Sequence, residues 1–100
     1  GVGCDLDAPA GGTKGVPLGL SLSLVNHTGL FQEARVDVAA SESFLLAGYR
    51  QASVPILPRS SVNLRYQLVP VGVGHLALPV MRLKWKEGGR EVSFKVPTSS

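Results

Sequence analysis

The side chains able to ligate a metal or move a proton are His27, His75, Cys4 and the carboxylates Asp5, Asp7, Glu33, Asp37, Glu42, Glu87 and Glu91. A metal site needs three or four converging ligands. One cysteine, with no H-x-x-x-H or C-x-x-C spacing, predicts no such set. Both histidines fall in predicted loops at opposite ends and read as solvated. Serines are plentiful, but no G-x-S-x-G elbow is present, and Ser60-Ser61 opens a strand after Pro58. The carboxylates fall on outward positions or turns, where solubility explains them and no glycosidase-like pair stands out. Gly72-Val73-Gly74 is followed by no helix start, so no helix dipole awaits a phosphate. The residues therefore predict no enzyme: no catalytic residue, no metal and no cofactor.

Asn26-His27-Thr28 matches a glycosylation sequon. On a secreted chain it would be a surface loop bearing sugar; in the cytosol it is a chance match in a turn. Cys4 has no partner for an internal bridge, and its Gly-rich surroundings suggest an exposed or loosely held thiol. The lack of a disulfide framework is compatible with a reducing compartment and favours the chance reading.

The elements that carry these residues are extended ones, because period-two alternation dominates the sequence. Leu18, Leu20, Leu22 and Leu24 share one face, with Gly19, Ser21 and Ser23 on the other. Val62, Leu64, Tyr66 and Leu68 alternate with Asn63, Arg65 and Gln67. Leu83 and Trp85 alternate with Arg82, Lys84 and Lys86, and Val92, Phe94 and Val96 alternate with Glu91, Ser93 and Lys95. One dry and one wet face per stretch is the mark of antiparallel sheets. Turn signals separate the runs, among them Glu87-Gly88-Gly89-Arg90, which reads as a hairpin with the glycines supplying positive φ.

This spacing predicts an all-β, antiparallel immunoglobulin-like or fibronectin-III-like sandwich of about seven to eight strands. Its strands fall roughly at 3–8, 17–26, 33–40, 43–47, 50–57, 61–69, 77–86 and 90–97. Pro55 and Pro58 mark an edge strand or strand end, and Pro79 is placed early in its strand beside a bulge.

The chain has 100 residues, 44% of them hydrophobic and 17% charged, which suits one core and neither disorder nor a bilayer. Residues 1–16 are expected as a flexible or edge-strand N-terminal segment, and 17–100 as a single sandwich domain. No uninterrupted apolar run approaches the ~18 residues of a membrane span, and the opening lacks the pattern of a signal peptide. Because it does not begin with Met, the chain is expected to be a piece of a longer one. The net charge is +3, with Arg82, Lys84, Lys86, Arg90 and Lys95 crowding the last quarter. With no aromatic platform among them, they read as the solvated side of a strand and not as a nucleic-acid site.

Some side chains fit a partner surface. Trp85 and Tyr66 lie on dry faces and are expected in the core, as are Leu20, Leu22 and Leu64. Leu30 and Phe31 follow Gly29 at a strand entrance, and Phe44-Leu45-Leu46 is a continuous apolar run where alternation would expose one member. An exposed apolar strip there would dock a partner; the plainer expectation is that the run crosses between sheets and is covered on both sides. Leu30, Phe31, Phe44, Leu45, Arg82, Lys84 and Lys86 are the candidate surface.

Several segments in order carry a family resemblance. They are Pro17-Leu18, Val25-Asn26-His27-Thr28, the stretch from Phe44 to Gln51, Ile56-Leu57-Pro58, the stretch from Leu64 to Pro70, Gly74, Leu78-Pro79, and Val96-Pro97-Thr98-Ser99. This series resembles the C-terminal (gryphon) β-sandwich domain of trafficking protein particle (TRAPP) complex subunit 11 or of a related large TRAPP subunit. It runs from about Pro17 to Ser99; the first fifteen residues do not carry it, and the basic strand is more charged than the pattern. The resemblance implies a non-catalytic assembly module of a tethering complex in ER-to-Golgi and Golgi transport and autophagy. It implies a cytoplasmic location peripheral to early secretory and Golgi membranes, with other tethering-complex subunits or vesicle-associated proteins as partners. Membrane contact would be at most peripheral, with no nucleic acid or small-molecule ligand. Two other readings are an extracellular adhesion or receptor-type sandwich glycosylated at Asn26, and a lipid- or carbohydrate-binding sandwich using the basic strand.

Overall fold

A computed structural model describes residues 1–9 and 11–97; the Thr98-Ser99 of the matched series lies outside them. The described residues contain no helix and eight strands: β1 (Val2–Asp7), β2 (Leu18–Asn26), β3 (Gln32–Val38), β4 (Phe44–Ala47), β5 (Gln51–Ile56), β6 (Ser61–Pro70), β7 (Met81–Glu87) and β8 (Arg90–Lys95). They form two four-stranded antiparallel sheets, β1-β2-β6-β4 and β5-β3-β7-β8. Only β1–β2 and β7–β8 join sequence neighbours within one sheet; every other connection changes layers.

Alternation explains the layering. On β2, Leu20, Leu22, Leu24 and Asn26 are buried while the residues between them are not. Leu20 lies opposite Tyr66, Leu22 opposite Leu64 and Leu18 opposite Leu68, so two dry faces coincide in one register. A one-residue slip would turn one strand's dry set to the outer face, so burial itself fixes the pairing. From the other sheet, Val36, Val38, Met81, Leu83 and Trp85 complete the same core. Trp85 meets Phe94 edge to face, with ring centroids 5.2 Å apart and planes at 83°, a geometry the ring quadrupoles favour.

The edges follow from composition. β5 contains Pro55 and is an outer strand, as a residue without an N–H requires. At the Gly88-Gly89 turn, φ values of 58° and 78° place both residues in the left-handed region, as a two-residue hairpin demands.

Two expectations need correction. The seventh strand begins at Met81, not 77. Pro79 is buried ahead of it with Leu76 and Leu78 half-buried, so this approach packs on the core without pairing, and Pro79 sits beside no bulge in a strand. The run at 44–46 does not cross between sheets. All of it lies in β4, paired along β6, and it obeys alternation: Phe44 is buried and Leu45 exposed.

Candidate interaction surfaces

The residues of the candidate surface separate into three places. At the end where β2 gives way to β3, Leu30 and Phe31 are 71% and 55% exposed, and Leu57, just past β5, is 64% exposed. One buried side chain ties them together. Asn26, wholly excluded from solvent, donates from Nδ2 to the carbonyl oxygens of Leu30 at 2.7 Å, Ile56 at 3.1 Å and Leu57 at 3.2 Å. Its Oδ1 accepts from the Thr28 backbone N–H at 2.9 Å and faces the Thr28 hydroxyl at 2.7 Å. Arg59 N–H then donates to the Thr28 carbonyl at 3.1 Å, joining the two loops a second time. The exposed side chains of Leu30 and Leu57 therefore rise from backbone held by the Asn26 amide together with the Arg59–Thr28 bond.

This geometry overturns the glycosylated reading. A glycan is carried on Nδ2, and here Nδ2 is buried with both hydrogens engaged. Asn26 is the last residue of β2, not the surface-loop residue that the glycosylated reading requires.

Leu45, 62% exposed, stands apart from that end, on the outer face of its sheet opposite Val69. Phe44 leaves the candidate set: at 7% exposure it packs inward. Tyr49, Val71 and Val73 are also exposed, in the loops after β4 and β6. The sequence reading missed Leu57, because Pro55 and Pro58 marked its segment only as a strand end. It missed Asn26's role because a buried asparagine and a surface one have the same letters around them.

The third place is the outer face of the second sheet, which holds Arg82, Lys84 and Lys86 of β7 with Arg35 of β3 and Lys95 of β8. Register sets Arg35 against Lys84 and Arg82 against Lys95, like charges on adjacent strands. Asp37 faces Arg82, and Glu91 faces Lys86. Among the described residues the one ion pair is elsewhere, between the amino group of Gly1 and Glu87 Oε1 at 3.2 Å. An open depression of about 300 Å³ on the basic face is lined by Arg35, Asp37, Gln51, Ser53 and Lys84 with Val36 and Ala52. A second, of about 450 Å³, lies beside Asp7, Ala8, Pro9 and the start of β2.

Reactive groups are dispersed. No three His, Cys, Asp or Glu side chains converge on a metal-sized site among the described residues. His27 lies over Gly3 at one end, and His75 is exposed in the β6–β7 connection. Burial pushes the Cys4 thiol above its ordinary value, and the neighbouring Asp5 charge pushes it the same way; both oppose the thiolate on which reactivity depends. Burial raises the Tyr66 phenol too.

Two four-stranded antiparallel sheets closed over one apolar core, with apolar and basic side chains on the outside, define a β-sandwich domain. Residues 2–97 match the family described as "Gryzun-like: TRAPPC11 C-terminal domain", and the chain belongs to that family. It is 29% identical over 77 residues to trafficking protein particle complex subunit 11 from Homo sapiens. The same protein from Bos taurus and from Gallus gallus gives the same identity over the same length. The match takes in 77% of this chain and 7% of the human protein's length. A solved structure, the FixG-related protein from Vibrio parahaemolyticus, superposes with a TM-score of 0.62 at 17% identity, covering 95% of this chain and 90% of that one. That likeness concerns the fold.

Proposed function

We propose that this domain is a non-catalytic assembly module of a membrane-trafficking tethering complex acting in ER-to-Golgi and Golgi transport and in autophagy. The observation that carries the reading is the family match over residues 2–97. Its partners are other subunits of the complex or vesicle-associated proteins, and its place is the cytoplasmic side of early secretory and Golgi membranes. Leu30, Phe31 and Leu57 supply an apolar contact on a stiffened end, and Arg82, Lys84 and Lys86 an electrostatic one. Interfaces draw their energy from such buried anchors and their steering from such charges.

The test is affinity capture of the full-length parent, with and without residues 2–97, followed by mass spectrometry. Tethering subunits should fall away from the truncated parent while its abundance is unchanged. Leu30→Asp with Phe31→Asp should reproduce part of that loss. An unaltered set of companions after deletion would sink the assembly reading.

A further inference from the structure

We propose that the outer edge of β8 pairs with the β8 of a second copy of this chain, antiparallel and centred on Ser93, joining two four-stranded sheets into one of eight. This inference rests on the geometry of one strand and stands apart from the trafficking reading.

The backbone comes first. Glu87 and Arg90 close the two-residue turn, so they form a hydrogen-bonded pair, and the pattern alternates from there. Arg90, Val92 and Phe94 turn their N–H and C=O groups toward β7; the bond from Val96 N–H to the Met81 carbonyl at 2.8 Å continues the set. Glu91, Ser93 and Lys95 therefore direct theirs away from β7, where no strand of the described residues lies. An unpaired row of this kind is a template for a further strand.

The other edges are blunted. β5 holds Pro55, and β4 is four residues long. β1 carries Asp5 and Asp7 on its outer face, so self-pairing there would gather like charges. β8 has no proline within its six residues.

The side chains then choose the occupant. With Ser93 opposite its own copy, Glu91 falls opposite Lys95 of the second copy, and Lys95 opposite Glu91. On the other face Val92 meets Phe94, and Phe94 meets Val92. Both apolar residues are only half-buried in the single chain, so the second copy finishes their burial. The charged pairs fall at hydrogen-bonded positions and the apolar pairs at non-hydrogen-bonded ones, where side chains approach more closely. A parallel arrangement in the same register would oppose Glu91 to Glu91 and Lys95 to Lys95. Antiparallel pairing about a two-fold axis satisfies both copies at once, as closed dimers require.

Sedimentation equilibrium of this chain should show a reversible monomer–dimer equilibrium, with a dissociation constant on the order of 1–100 µM, as suits a small interface. Ser93→Pro removes an N–H that serves no bond within the chain. It should leave the strand circular dichroism unchanged and weaken association by roughly tenfold or more. Glu91→Lys and Lys95→Glu should each weaken self-association, yet the two variants mixed should pair with each other. A monomer throughout, a dimer indifferent to Ser93→Pro, or one lost on Leu30→Asp or Leu45→Asp would overturn the proposal.

Discussion

One buried amide makes the side-chain bonds that gather backbone from three residues at one end of the molecule. Asn26 brings together the carbonyls of Leu30, of Ile56 at the end of β5 and of Leu57 just past it, closing the space between two loops whose flanking strands are already paired. Asn26→Asp keeps the shape but aims a carboxylate at those carbonyls, in a place without solvent. Burying such a charge beside acceptors should cost about 3–5 kcal/mol. Asn26→Ala, which only deletes the bonds, should cost about 2–3 kcal/mol. Urea unfolding of both checks the order; equal costs would mean the amide hydrogens contribute little. Trp85 presents the opposite case. Among the described residues its Nε1 is the one buried side-chain nitrogen or oxygen without a hydrogen-bond partner. Trp85→Phe gives up volume but relieves an unsatisfied donor, so it should cost no more than about 1.5 kcal/mol, against about 3–5 kcal/mol for Trp85→Ala. A phenylalanine variant as unstable as the alanine one would show that the indole nitrogen is not the burden the geometry implies.

At the scale of elements, the β7–β8 hairpin depends on the backbone freedom of two glycines. Gly89 sits at φ 78° and Gly88 at φ 58°, and open space surrounds both, so the restriction is conformational and not steric crowding. Gly88→Asn should be nearly neutral, because asparagine tolerates the first position of this turn, while Gly89→Val should cost about 1–2 kcal/mol. Thermal melts of the two variants provide the comparison. That hairpin was legible because its turn type and its alternation point the same way. β2 and β6 were legible for a similar reason: Leu20 to Leu24 and Tyr66 to Leu68 mark a dry face wherever their partners lie. β7 was misjudged at its start because Leu76 and Leu78 alternate like a strand, yet burial there comes from packing and not from a ladder. Phe44-Leu45-Leu46 was misjudged because three apolar letters conceal which one faces water. The candidate surface was legible only in parts: Leu30 and the basic strand announced themselves, whereas Leu57 joins Leu30 through a bond to Asn26, and long-range hydrogen bonds leave no periodic trace.

Taken whole, the molecule carries its positive charge unevenly and at some expense to stability. Arg35, Arg82, Lys84, Lys86 and Lys95 share one outer face with Glu33, Asp37 and Glu91, and two of the four cross-strand charge pairs there, Arg35–Lys84 and Arg82–Lys95, are alike in sign. Like charges directly opposite on a sheet repel. Lys84→Glu turns the first pair into an attraction, since its other cross-strand neighbour is the uncharged Ser93. It should stabilise the fold by about 0.5–1 kcal/mol in low salt, read as a higher urea midpoint with an unchanged slope. Because the Debye length shortens from ~30 Å at 0.01 M salt to ~10 Å at 0.1 M, added sodium chloride should stabilise the parent chain more than the variant. A variant less stable than its parent at low salt would mean that water already screens Arg35 from Lys84. The same substitution separates folding from binding. Where the basic face meets an acidic companion, Lys84→Glu should reduce that companion in affinity capture while raising stability, a combination that no folding defect produces.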